Sequence, residues 1–198
     1  ITLEINLMHW AGLTDLTFEK YTPIAMVNQD PAAIHVKADS PFKNVKELFA
    51  HIKANPNKVV ASGTGQGGSW HVALAGLMQA DGVSPTSIRW VPSTGAATAL
   101  TDLAAGGVDF VSCSMPEAEA LIKAGRIRSL VFFSPKRAPN FPDVPTTDEA
   151  TGHKVHKGVW RGVAAPKGLP PEIAKTYETA IKKAWDSAEF KEFMNRRG

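Results

Sequence analysis

The sequence predicts an α/β protein: parallel-sheet lobes with helices on both faces, one lobe complete and the other present only in part. Three observations carry this. From Lys58 to Phe133 the order strand, loop, helix repeats without interruption. The helices between those strands are of ordinary length and carry apolar residues at helical spacing. After Phe133 the texture breaks into a proline-marked connection at Pro135, Pro139, Pro142 and Pro145. Strands alternating with helices of this length imply a parallel sheet with right-handed crossovers.

The elements follow in order. Thr22 to Val36 holds two apolar runs split by Asn28-Gln29-Asp30-Pro31, an extended crossing with a bend before the proline. Asn44 and Glu47 form a helix start, and Val45, Leu48, Phe49 and Ile52 give it one apolar face until Asn55-Pro56. Lys58 to Ser62 is a short strand, Gly63 to Gly68 a glycine-rich loop, and Ser69 opens a helix ending at Gly82. Ile88 to Val91 is the next strand, followed by the Pro92-Ser93-Thr94-Gly95 loop and a helix from Ala96 to Ala105. Val108 to Val111 is a strand, Ser114 with Glu117 caps a helix running to Gly125, and Ile127 to Phe133 is the last β-rich run. His156 to Ala165 reads as a return strand. Pro170-Pro171 starts a helix striped with Ile173, Tyr177, Ala180, Ile181, Ala184 and Trp185.

This pattern puts a complete α/β domain at 31–133. Residues 1–30 and 134–198 fall to a partial first lobe. A domain inserted through two crossing strands leaves a cleft and permits hinge closure.

Composition excludes several classes. With 198 residues, 43% hydrophobic and 21% charged, the chain is globular. A net charge of +3 without any run of basic residues gives no nucleic-acid footprint. No stretch approaches the length of a spanning helix, so a membrane-embedded chain is not expected. Cys113 is the one cysteine and follows a strand-like run, which suggests a buried small hydrophobe.

Three loops carry the candidate chemistry, Ser62 to Ser69, Ser93 to Ala96 and Ser112 to Ser114. Each follows a strand and precedes a helix, at the carboxyl edge where open α/β folds bind ligands. None has a charged side chain. Backbone N–H groups at a helix start favour an anion by about 0.3–2 kcal/mol, and hydroxyls add directional donors. Converging starts suit a di- or tricarboxylate; the alternative is a tight turn with no ligand. Gly63, Gly65 and Gly68 have G-x-G-x-x-G spacing, but no acidic residue follows at the ribose-binding distance, and Ser69-Trp70 replaces the Lys-Ser/Thr of a P-loop. His71 can donate to a ligand or tie down neighbouring backbone, and the second use is the more common. His153 and His156 read as a solvated loop better than as a metal site. A Ser69 or Ser114, His71, Asp102 triad lacks a nucleophile elbow. No catalytic residue, metal or cofactor is expected. Trp70, Trp90 and Trp160 are candidates for a cleft wall or for core.

Six ordered segments resemble one family: Asn28 to Pro31, Gly63 to His71, Val91 to Gly95, Gly106 to Val111, Pro142 to Thr146 and Trp160 to Pro166. Together they resemble the substrate-binding receptors of tripartite tricarboxylate transporters, the Bug-type periplasmic proteins. The resemblance implies a two-lobed periplasmic-binding-protein fold, a small carboxylate as ligand, and membrane permease subunits as partners, with no enzyme activity. It implies ligand contacts at Gly67, Gly68, Ser69 and His71 and at Ser93, Thr94, Gly95 and Ala96. Ser62 and Ser114 join them by the loop argument, and Trp160 and Arg161 from the return strand. Members carry a signal peptide and more of the first lobe before the point matching Ile1, so an exported precursor is expected. The other reading is an effector-sensing domain of a LysR-type regulator, which a helix-turn-helix ahead of Ile1 would distinguish.

Overall fold

A computed structural model describes residues 1–197. The chain divides into a larger unit, Pro31–Gly158, and a smaller one, Ile1–Asp30 with Val159–Gly198. In the larger unit the elements are β1 (Tyr21–Lys37, of which the last part lies here), α2 (Val45–Ala54, α1 belonging to the smaller unit), β2 (Val60–Ser62), α3 (Ser69–Ala80), β3 (Arg89–Val91), α4 (Ala96–Ala105), β4 (Phe110–Ser114), α5 (Met115–Lys123), β5 (Ile127–Phe132) and α6 (Thr147–Thr151).

The strand order is β3-β2-β4-β1-β5. β2 runs parallel to both β3 and β4, with Ala61 beside Trp90 and Phe110. β1 runs antiparallel to β4 and to β5, with Ile34 opposite Ser112 and Val131. Hence β2, β3, β4 and β5 all point one way, and β1 is inserted against them. The crossovers expected of a parallel sheet apply to those four strands; β1 enters from outside the repeat, so periodicity carried no sign of its direction. From β2 the chain moves outward to β3, whereas from β4 it moves the other way to β5. That reversal places a topological switch between the carboxyl ends of β2 and β4. Right-handed connections then put α3 on one face and α4 and α5 on the other.

The core is built where the periodicity placed it. Val45, Leu48, Phe49 and Ile52 of α2 are buried, as are Leu74, Leu77 and Met78 of α3 and Leu100 and Leu103 of α4. Ala32, Ala33, Ile34, His35 and Val36 on β1 are wholly inaccessible, since a strand covered on both faces has no solvent side. Residues 134–158, expected to belong with the flanking lobe, pack in this unit instead. Phe132 N–H donates to Pro145 O at 2.9 Å, and Phe132 bridges Thr146. Ala138, Phe141 and Val144 cover the cluster of Ala33, Met115 and Phe132. The prolines between Pro135 and Pro145 break regular structure but not packing, so texture alone misplaced the boundary.

The smaller unit holds α1 (Glu4–Trp10), the first part of β1 paired with β6 (Gly158–Pro166), α7 (Pro171–Asp186) and α8 (Ala188–Arg197). β1 and β6 approach closely at Gly162, where a Cβ would lie 2.9 Å from Ala25 O. The apolar stripe of α7 forms as its spacing predicts, yet no residue of that helix is buried. Ile173, Tyr177 and Trp185 are exposed, as are Trp10, Leu13 and Phe18.

One buried group links the core to pH. His35 sits on β1 with Nδ1 2.9 Å from Ser129 Oγ, and its Nε2 has no hydrogen-bond partner. Burial, only partly offset by neighbouring backbone, lowers its pKa from 6.5 to about 4. The unfolded chain therefore binds the extra proton first as pH falls through that window. Stability conferred by the neutral ring is complete above pH 6.5 and is lost by about 3 kcal/mol as pH falls to about 4. Urea titrations over this range should show that slope in the native chain and a shallower one in His35→Leu.

Candidate functional site

The site is built from the turns that leave β2, β3 and β4. Gly63 leaves β2 where only glycine fits: a Cβ there would lie 2.5 Å from Ser112 O and 2.8 Å from Trp90 Cη2. The loop then turns back on itself, with Gly68 N–H donating to Gly65 O at 3.0 Å. Gly67 takes a φ of 78°, in the left-handed region that favours glycine. Gly68 is the N-cap of α3, and Gly95 is the N-cap of α4. Neither has a side chain to offer the first-turn N–H groups.

This separates them from the other helix starts of the unit. Asn44 Oδ1 accepts Glu47 N–H at 2.9 Å at the start of α2. At α6, Thr146 and Glu149 form a reciprocal capping box. α5 starts the same way, and here the chemistry decides the third candidate loop. Ser114 is fully buried, and both its N–H and its hydroxyl donate to Glu117 Oε2, at 3.1 and 2.9 Å. The α5 start therefore carries its own carboxylate. Moreover, Ser112 to Ser114 is not a loop: β4 runs through Ser114 and α5 follows directly. The S-x-x-E pattern was legible as a cap. What it meant for a ligand, that the anion position is taken, lay in the same four residues.

The remaining candidates sort by what their polar atoms already do. Ser62 is buried and donates to Val91 O at 2.7 Å, tying β2 to β3. Ser69 is buried at the first position of α3. Ser93 Oγ donates to Gly95 O at 3.0 Å, and Thr94 Oγ1 lies 3.3 Å from Thr98 Oγ1. The two open loops touch, with Ser93 N–H 3.4 Å from Thr64 O. A Cβ added at Gly95 would meet nothing, so that backbone faces open space. Ala96 is buried, whereas Ala97, the second residue of α4, is exposed. The structure thus brings Ser62, Gly67, Gly68, Ser69 and His71 together with Ser93, Thr94, Gly95 and Ala96. Trp160 and Arg161 lie on β6 in the smaller unit, where Arg161 Nη1 pairs with Asp30 Oδ2 at 2.9 Å.

His71 ties down backbone: its Nδ1 accepts Gly67 N–H at 3.0 Å. Burial lowers its pKa below the ordinary histidine value. Its ring rests on Trp90, whose indole N–H donates to Thr64 O at 3.1 Å. Trp90 was expected as cleft wall or core; it props the loop. Asp102 is exposed on α4, His71 Nδ1 is engaged by Gly67 N–H, and Ser114 is engaged by Glu117. His153 and His156 face Asp81 and Asp148, at 3.6 and 2.6 Å. Cys113 is buried.

A separate open groove of about 570 Å³ lies at the opposite end of the sheet, lined in part by Lys37, Asp39, Phe42, His51 and Asp109. Its polar groups are largely committed. Lys37 pairs with Asp39 at 3.1 Å, and Asp109 accepts Val60 N–H at 2.7 Å. The carboxyl-edge loops are the stronger candidate, because there backbone donors meet open space.

The larger unit is mixed α/β, and the loops at its carboxyl edge carry no charged side chain. Among the described residues no helix is long and apolar enough to cross a membrane. The chain matches the family model described as tripartite tricarboxylate transporter family receptor over residues 7–198, and it belongs to that family. A UPF0065 protein of Bordetella pertussis is 32% identical over 176 residues, 89% of this chain and 54% of that protein. The chain thus spans about half the length of the curated relatives it matches. A ligand-free TctC solute-binding protein from Polaromonas superposes with a TM-score of 0.82 at 32% identity, covering 100% of this chain and 66% of that one. Two Rhodopseudomonas palustris proteins are also similar. One, solved with adipate, gives a TM-score of 0.78 at 27% identity, over 90% of this chain and 59% of that one. The other, MatC with bound malate, gives 0.76 at 26%, over 90% and 60%.

Gly63→Ala tests how tightly the first loop is built. The added methyl must displace the Ser112 backbone or Trp90, so a loss of about 1–3 kcal/mol is expected in chemical denaturation. Gly95→Ala, whose Cβ meets nothing, should cost much less.

Proposed function

We propose that this chain is the ligand-binding part of an exported solute receptor, one that captures a small di- or tricarboxylate and delivers it to the permease of a tripartite transporter. The observation that carries the reading is the pair of glycine N-caps. α3 and α4 start beside one another with no side-chain oxygen at the cap, whereas α2, α5 and α6 each have one. A helix start with bare N–H groups and a positive dipole end suits a carboxylate. Charge on the protein is not needed for this. Neutral donors release the solute readily, as a transport receptor must, where a buried ion pair would hold it.

The ligands of the two R. palustris relatives, adipate and malate, support the same substrate class. In this reading the direct donors are first-turn N–H groups of α3 and α4, from Trp70 and from Ala96 and Ala97. Membership of the receptor family supports the periplasm as the place of action and the permease as the partner.

Calorimetric titration with malate, adipate and citrate tests this directly. Saturable heat with at least one acid is expected; none with any of the three at millimolar concentration overturns the carboxylate assignment. Ala97→Pro sharpens the test. Proline is tolerated in a first helical turn, and Pro116 already occupies the equivalent second position of α5. The substitution removes one N–H donor. It should weaken binding by about tenfold or more with little loss of helix.

A further inference from the structure

The glycine loop is held at both ends by two rings that take no direct part in the binding chemistry above. At its start, the benzo edge of Trp90 fills the space beside Gly63, and the indole N–H holds Thr64 O at 3.1 Å. At its end, His71 Nδ1 holds Gly67 N–H at 3.0 Å. The rings lean on each other, with centroids 4.6 Å apart and planes at 55°. The two anchor points are thus one unit. A movement of either ring is felt by the segment that delivers the chain to Gly68 and the start of α3.

We propose that Trp90 and His71 are positioning residues: together they hold the loop so that the first N–H groups of α3 face the solute, and protonation of His71 releases the loop and weakens capture. This rests on the carboxylate reading, which its test below keeps separate.

The chemistry of the ring gives the direction. To accept from Gly67, Nδ1 must present its lone pair, so the neutral ring carries its proton on Nε2. A second proton goes onto Nδ1. Two N–H groups then face each other across 3.0 Å, and the contact breaks. Burial of His71 lowers its pKa and so favours the neutral, clamping form. No charged side chain competes from the elements around it. The loop has none, the residues a turn away along the chain are Gly67, Gly68, Leu74 and Ala75, and β3 offers Trp90. Arg89, next to Trp90, alternates to the opposite face of the strand. A solute carboxylate beside His71 would act in the reverse sense, drawing a proton onto the ring and strengthening capture in acid. The sign of the pH dependence therefore separates a clamp from a direct charged contact.

The test uses the whole chain, with malate and adipate as probes and amide hydrogen exchange at Gly67 measured without ligand. His71→Phe keeps a ring against Trp90 and loses the acceptor. It should weaken binding by about three- to tenfold at neutral pH and deprotect Gly67. His71→Asn supplies a carbonyl oxygen that accepts and does not titrate. It should recover most of the lost affinity and bind with a flatter pH profile than the native chain between about pH 7.5 and pH 5. Trp90→Phe, lacking the indole N–H, should resemble His71→Phe. Unchanged Gly67 exchange in His71→Phe, or native affinity that rises in acid relative to His71→Asn, overturns the clamp. If neither acid binds at any pH, the carboxylate reading fails, and the Gly67 exchange still decides the clamp.

Discussion

A helix begins with backbone N–H groups that its own ladder cannot reach, and the residue at the cap decides what meets them. In the larger unit Asn44, Ser114 and Thr146 each bring an oxygen, and Glu47, Glu117 and Glu149 reach back from three residues on. Gly68 and Gly95 bring nothing. In the proposed reading a small anion meets N–H groups at those two starts. The capped helices thus close the fold, and the two uncapped ones leave it open at one edge.

The sheet decides that the two starts are neighbours. β1 enters antiparallel between β4 and β5, fully buried from Ala32 to Val36, and leaves β2, β3 and β4 as a parallel trio. Their carboxyl ends lie side by side. The hydroxyls there mostly serve the framework: Ser62 ties β2 to β3, and Ser112 Oγ donates to Trp70 O, pinning the first turn of α3 to β4. Polar side chains fix the scaffold, and in the proposed reading backbone meets the solute. Under that reading the donors are fixed by the chain path and need no reorganisation on binding.

The smaller unit has a different physical character. Its two-stranded β1–β6 pairing is tight at Gly162, and Arg161 is paired with Asp30, yet its helices bury little. The amphipathic stripe of α7 is real as a pattern and unsatisfied as packing. Sequence periodicity reports which face of a helix wants burial; it says nothing about whether a partner is there.

Local chemistry was legible in the sequence wherever neighbours in the chain are neighbours in space. The helix starts at Asn44, Ser69, Ala96 and Ser114, the glycine turns and the core stripes all depend on contacts within a few residues, so the chain order determined them. The sequence also determined that no charged side chain sits in the three loops. Tertiary structure alone decided the direction of β1, the inclusion of 134–158 in the larger unit, and the joining of Trp90 to Thr64 and His71. Each depends on residues far apart in the chain meeting through the sheet, and no local spacing encodes such a meeting.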